Sequence, residues 1–266
     1  MRTPAPYAGA TFDSGLKIGK VPAKPGMLMN TVRLDPKVGL SAAGQQFRFS
    51  YSTTNQHGAV APSTGAMFFP KGKPPAGGWP VLAWAHGTVG LADQCTPSMN
   101  PRSARDTDYL NHWLNQGYAI VASDYAGMST DGLMSYLNGK STAANVVDSV
   151  IAAQDLPAVR QGGQTLSRNW AVIGQSQGGG AALHVALRAT SRSKEANLNF
   201  IGTVATGAPA YVEEIVLAGS PTFPPVPLPA GLNTYAMYIL AAFREANPNI
   251  DVDSALTPEG KRMVKA

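Results

Sequence analysis

The chain has 266 residues, 44% apolar and 14% charged, the composition of a globular protein long enough for one large α/β domain. Twenty-one Lys and Arg against sixteen Asp and Glu give a formal charge of +5, but the basic residues are scattered, which excludes the clustered footprint of a nucleic-acid binder. No stretch reaches the roughly 18 uninterrupted apolar residues of a membrane span, Met1 to Ala10 holds no apolar core of a signal peptide, and Cys95 is alone, so no internal disulfide framework and no metal or cofactor site is expected.

Residues 1–45 are rich in Pro and Gly, without a sustained period, and read as an irregular arm. From Gln46 to Ser52 apolar and polar residues alternate, the period of a half-buried antiparallel strand. Ala66 to Pro70 predicts a second strand, closed by a Pro/Gly turn over Lys71 to Gly78. The pattern then changes to short apolar runs separated by helical segments. The runs are Val81–Ala85, Ala119–Ala122, Trp170–Ile173 and Phe200–Ala205; the helices are Asp108–Leu114, ending at Gly117 as C-cap, Thr142–Leu156, with Pro157 after it, and Gly178–Thr190. Continuous apolar runs alternating with helices predict a mostly parallel sheet covered on both faces, here over residues 46–210. Residues 211–266 look helical instead: Glu213–Ala218, a proline-studded loop over Ser220–Gly231, and an amphipathic helix over Thr234–Ala246. This region is expected to lie as a cap over the carboxyl edge of the sheet.

The segment carrying most chemistry is Gly174-Gln175-Ser176-Gln177-Gly178-Gly179. An apolar strand enters it and an Ala-rich helix leaves it, which is the setting of a nucleophile elbow. The turn needs glycines because a Cβ at Gly174 or Gly178 would meet neighbouring chain, and it strains Ser176 so that Oγ stands clear at a helix N-terminus. Ser176 is therefore the candidate nucleophile. The amide of Gln177, directly after it, and the amides of Gly87 and Thr88, directly after the strand Val81–Ala85, are the candidate donors to an oxyanion. His86 precedes the nucleophile in the chain and is expected to shape its loop rather than to act as base. Asp124, at the end of the next strand, is expected to tie down a loop.

Ala85-His86-Gly87-Thr88, Asp93-Gln94-Cys95-Thr96-Pro97-Ser98, Asp124-Tyr125-Ala126-Gly127-Met128 and the elbow, in this order, resemble the secretory lipase family, as do Pro25-Gly26, Ala205–Ala210 and Leu256-Thr257-Pro258-Glu259-Gly260. The resemblance implies an α/β-hydrolase core, a helical cap, hydrolysis of acyl or lipid esters, contact of the cap with a lipid interface, and a secreted or periplasmic location. The family's nucleophile maps onto Ser176 and its oxyanion donors onto Gln177 and the Gly87–Thr88 loop.

One departure stands against these matches. The family places its catalytic Asp and His beyond the cap. The four histidines here are His57, His86, His112 and His184, and only His184 follows the nucleophile, within the helix of the elbow. Asp251 and Asp253 read as solvated or capping residues, and Glu213 and Glu214 have no His to orient. The chain therefore reads as the N-terminal portion of a longer enzyme or one chain of a cleaved one, with a sheet that ends at an unpaired edge bearing exposed apolar surface. Three readings stay open: an ester hydrolase working through an acyl-enzyme, an acyltransferase or peptidase on the same fold, and a catalytically incomplete binding protein.

Overall fold

The apolar runs form strands of a sheet in the computed structural model, which describes residues 15–214 and 230–265. The strands are β1 (Leu28–Arg33), β2 (Ala43–Thr54), β3 (Val60–Pro70), β4 (Trp79–Ala85), β5 (Ala119–Ser123), β6 (Leu166–Gln175) and β7 (Asn199–Thr206). Their spatial order is β1-β2-β3-β5-β4-β6-β7. β4 is parallel to both β5 and β6, and β6 is parallel to β7. The pairs β1–β2, β2–β3 and β3–β5 are antiparallel. Five strands thus run one way, and only β1 and β3 run against them.

Helices α1 (Ala104–Asn115), α2 (Gly139–Ala153), α3 (Pro157–Arg160), α4 (Gln177–Glu195), α5 (Ala230–Ala246) and α6 (Pro258–Lys265) complete the described chain. α1 covers one face, where Leu110 and Leu114 pack with Phe68, Leu82, Trp84, Ile120 and Ile173. α2 and α4 cover the other, with Val146, Val150, Ala182 and Val185 against Tyr51, Val81, Val121 and Val172. Each such aliphatic side chain contributes about 1.5–3 kcal/mol on burial. At the far end of α4, Trp170 of β6 donates from Nε1 to Ser193 Oγ over 3.0 Å, which fixes the helix axis and with it the aim of its N-terminus.

Helix limits follow local chemistry. Ser103 Oγ accepts from Asp106 N at the start of α1, and Gly117 just beyond its end adopts φ 83°, the left-handed conformation in which glycine has no steric cost. Pro157, expected as a stop, also opens α3 as its first residue.

The structure corrects the sequence reading in three places. The arm is not wholly irregular, because Leu28–Arg33 pairs with β2 as β1; an edge strand takes its order from its partner, and the flanking prolines hide it. β2 is not half-buried: from Arg48 to Thr53 both faces are covered. Its polar residues are tolerated there through distant partners, Arg48 donating to Ser98 Oγ and Ser129 Oγ over 2.8 and 2.9 Å. The helix expected from Thr234 begins at Ala230. Most of the expected helix Glu213–Ala218 and of the loop Ser220–Gly231 falls outside the described residues.

Among the described residues β7 pairs only with β6, so it is an edge strand. Its Ile201 and Val204 are 61% and 49% exposed. No helix among the described residues is long and apolar enough to cross a membrane.

Candidate active site

Ser176 sits between the last residue of β6 and the first of α4, with φ 55° and ψ −122°, a sparsely populated conformation for a residue bearing a Cβ. Its N–H donates to Thr206 O of β7 over 2.9 Å, and its carbonyl accepts from Gly180 N in the first turn of α4. The bend closes tightly. A Cβ at Gly174 would overlap the Gly178 carbonyl, and one at Gly178 would overlap the carbonyl oxygen of Ala85, at the end of β4. Both glycines are thus required by backbone meeting backbone. Ser176 Oγ has no hydrogen-bond partner among the described residues and lines a cleft of about 550 Å³. It stands at the N-terminus of a 19-residue helix, where the amides favour negative charge.

The loop after β4 lies in the same cleft: His86, Gly87 and Thr88 line it with Ser176. A Cβ built at Gly87 would be 3.6 Å from Ser176 Cβ and 2.7 Å from Gln175 Oε1, so the loop passes directly over the elbow. Gln177 is buried as the first residue of α4. The loop is held from three sides. His86 Nδ1 lies 2.7 Å from Gly87 O and Nε2 lies 3.3 Å from Asp124 O. Tyr125 donates from its hydroxyl to His86 O over 3.1 Å and packs its ring 4.4 Å from the imidazole. Thr88 Oγ1 and the Tyr136 hydroxyl share a 2.9 Å hydrogen bond, and Tyr136 meets Tyr238 of α5 edge-on at 5.6 Å. Burial holds His86 below the usual histidine range and pushes the Tyr136 phenol up, so both are neutral near pH 7.

Asp124 ties the floor of the site together. Its Oδ1 accepts from Ser98 N over 2.8 Å, and its Oδ2 accepts from Thr64 Oγ1 and Ser98 Oγ over 2.7 and 2.5 Å. Arg102 is its neighbouring cation. Burial pushes the Arg102 guanidinium down to about 10 against the opposing pull of Asp124 and Asp106. From α1, Arg105 Nη2 donates to Gln175 Oε1 over 3.0 Å, which bridges that helix to the elbow.

None of the four histidines hydrogen-bonds Ser176 Oγ. His57 lies in the β2–β3 turn, 3.7 Å from Glu245 of α5; His112 packs on Trp113 within α1; His184 is exposed on α4 and closes against Gly139. Asp251 Oδ1 accepts from Ser254 N, and Asp253 pairs with Arg244 at 3.2 Å, while Glu213 and Glu214 are exposed. Cys95 is half-buried and lines the cleft with its thiol, which burial pushes up. Among the described residues no three His, Cys, Asp or Glu side chains cluster as metal ligands. The structure thus brings Ser176, Gln177, Gly87 and Thr88 together, and among the described residues no histidine hydrogen-bonds Ser176 Oγ. Sequence reasoning missed Tyr136, Arg102 and Arg105, whose partners lie 48 or more residues away in the cases of Tyr136 and Arg105.

A second cavity, of about 730 Å³, flanks the elbow on the other side, between the first turn of α4 and helix α5. Gln177, Gly180 and Ala181 form one wall, and Ile239, Ala242 and Phe243 form the other.

A family model described as secretory lipase matches residues 102–235. Among solved structures, Candida antarctica lipase A is similar with a TM-score of 0.69 and 19% identity, over 91% of this chain and 54% of that one; its closed state gives 0.68, 19%, 99% and 59%. The rice cell wall degrading esterase LipA from Xanthomonas oryzae, in a ligand-bound form, gives 0.69 and 22% identity over 91% of this chain and 66% of that one. The chain therefore spans less than two thirds of the length of each. The likeness establishes the α/β-hydrolase fold. No curated protein matches.

Proposed function

This chain belongs to the secretory lipase family, and on that footing we propose that it is a carboxylic ester hydrolase, lipase or esterase, in which Ser176 forms an acyl-enzyme. The observation that carries the reading is Ser176 itself: a non-glycine residue held at φ 55°, with an Oγ that has no hydrogen-bond partner among the described residues, in a cleft under the Gly87–Thr88 loop. A serine needed only for structure has no reason to hold so strained a backbone at the floor of a cleft.

In the proposed reaction Ser176 Oγ attacks the ester carbonyl carbon and its proton passes to a general base. The carbonyl oxygen becomes an oxyanion, held by the amides of Gln177 and of Gly87 or Thr88, each donor being worth about 3–4 kcal/mol of transition-state stabilisation. The C–O bond to the alcohol breaks, the alcohol leaves with a proton, and water repeats the sequence on the acyl-enzyme. Among the described residues no histidine hydrogen-bonds Ser176 Oγ, and His86, in the same cleft, is held by Gly87 O and Asp124 O, so this reading leaves the base unassigned. Helices α5 and α6 act as the cap. In this reading α5 walls an acyl cavity with Ile239, Ala242 and Phe243, and the exposed Leu232 of the same helix belongs to the surface a lipid interface would meet. A secreted or periplasmic location accords with the family.

The test is fluorophosphonate labelling followed by peptide mapping, with and without imidazole as a diffusible base. Slow adduct formation at Ser176, accelerated by imidazole and absent from Ser176→Ala, is expected. No adduct even with imidazole, or an adduct elsewhere, overturns the assignment. The same unassigned base supports a second reading, a catalytically incomplete binding protein, which predicts no adduct under either condition.

A further inference from the structure

One contact to the loop over Ser176 comes from α1, by way of a single side chain. Arg105, in the first turn of that helix, lines the Ser176 cleft. Its guanidinium is aimed by its neighbour: Nε donates to Asp106 Oδ1 over 2.9 Å, and Nη2 lies 2.8 Å from the same oxygen. Asp106 is anchored in turn, since its N–H donates to the capping Ser103 Oγ. Nη2 of Arg105 also donates to Gln175 Oε1 over 3.0 Å. That same Oε1 occupies the space a Gly87 side chain would need, 2.7 Å from a Cβ built there. The amide oxygen is therefore a stop against which the loop rests, and Arg105 sets its position. The terminal torsion of a glutamine is broad, so without a donor on Oε1 the stop would swing.

We infer that Arg105 is a positioning residue, which acts through Gln175 to hold the amides of Gly87 and Thr88 over Ser176; this rests on the reading of Ser176 as nucleophile and of those amides as oxyanion donors. Such donors work by being fixed in place before the charge develops, and small misplacements of a reacting group are costly. The other holds on the loop meet it at His86 O, Gly87 O and Thr88 Oγ1. Gln175 Oε1 meets Gly87 at its α-carbon, one bond from the N–H in question. A planar fork suits this task, because one guanidinium bridges a carboxylate and an amide oxygen along fixed N–H directions, whereas the ammonium of lysine is a point charge on a flexible stem. A general effect of positive charge on the cleft is the competing account, and it predicts that lysine serves as well as arginine.

The experiment compares fluorophosphonate labelling of Ser176, with imidazole present, in the full chain and in Arg105→Gln, Arg105→Lys, Gln175→Met and the double variant Arg105→Gln with Gln175→Met. Arg105→Gln should label about fivefold more slowly, the effect of one partly exposed hydrogen bond to a charged group, with an unchanged urea midpoint. Arg105→Lys should be as slow. The double variant should label no more slowly than Gln175→Met alone, since both changes break one strut. Labelling of Arg105→Gln at the unsubstituted rate, rescue by lysine, or losses that multiply in the double variant overturn the inference. Hydrogen exchange of the peptide spanning His86 to Gly90 is a second readout that needs no nucleophile. Faster exchange in Arg105→Gln is expected, and unchanged exchange overturns the strut. If Ser176 labels in none of these chains, the nucleophile reading falls, and exchange alone decides whether Arg105 holds the loop.

Discussion

The two flanks of the elbow are built differently. On the side of the oxyanion loop, backbone presses on backbone: Gly178 fits under the Ala85 carbonyl, Gly87 passes over Ser176, and Asp124, 1% exposed, accepts three hydrogen bonds beneath them. Along β7 and α5 apolar groups face solvent instead: Ile201, Val204, Tyr235 and Phe243 are 44–61% exposed. Groups aimed at a developing charge need fixed positions, and in the proposed reaction the first region would supply them. In the second region apolar groups are loosely packed, and repacking of such groups is tolerated. Rigidity is concentrated where direction matters.

Substitutions separate the two regions, and the largest effect is expected at the elbow. Gly178→Ala drives a Cβ into the Ala85 carbonyl and should destabilise by more than about 4 kcal/mol, read as loss of the cooperative urea transition. Gly202→Ala, in β7 with open space around it, should change stability by less than about 0.5 kcal/mol. Equal effects would erase the contrast. Next, Asp124→Ala leaves Thr64, Ser98 and Arg102 without their buried anion and should cost about 3 kcal/mol in the same measurement. Tyr136→Phe removes the hydroxyl bonded to Thr88 and should cost about 1 kcal/mol, with slower imidazole-assisted labelling of Ser176. Unchanged labelling would show that Thr88 is positioned without Tyr136.

A smaller drift is expected with pH. Burial holds His86 below its ordinary 6.5 in the folded chain, so the unfolded chain binds a proton at a higher pH than the folded chain does. The corresponding stability is fully present above the unfolded value and falls as the pH drops through it toward the folded value. The urea midpoint should therefore be lower at pH 5.5 than at pH 7.5, and His86→Gln should narrow that gap. Smallest of all, Ile201→Thr and Val204→Thr should shift the midpoint by less than about 0.5 kcal/mol while reducing self-association by light scattering, since they remove exposed apolar groups from an open strand edge.

The same division governs what was legible in the sequence. β4, β5, β6 and α4 are written locally, as apolar runs and a glycine-bracketed serine, and the expected runs fall inside the observed elements. β1 escaped because an edge strand is defined by the partner it pairs with. The buried polar face of β2 escaped because Arg48 finds Ser98 and Ser129 at separations of 50 and 81 residues. The Thr88–Tyr136 bond escaped for the same reason, at a separation of 48. Periodicity reports which face is apolar; it says nothing about which distant hydroxyl lets a polar side chain be buried.

Ser176 and its flanking glycines answer to different pressures. Gly174 and Gly178 are required because carbonyls occupy the space a methyl would need, so a descendant that lost its chemistry but kept its fold would still carry both. Ser176 Oγ has no hydrogen-bond partner among the described residues, and no described hydrogen bond depends on it. Across a lineage the glycines would record ancestry, and the residue between them would record whether the trade was still being practised. A homologue with both glycines and an alanine at this position would be a retired hydrolase with its framework intact.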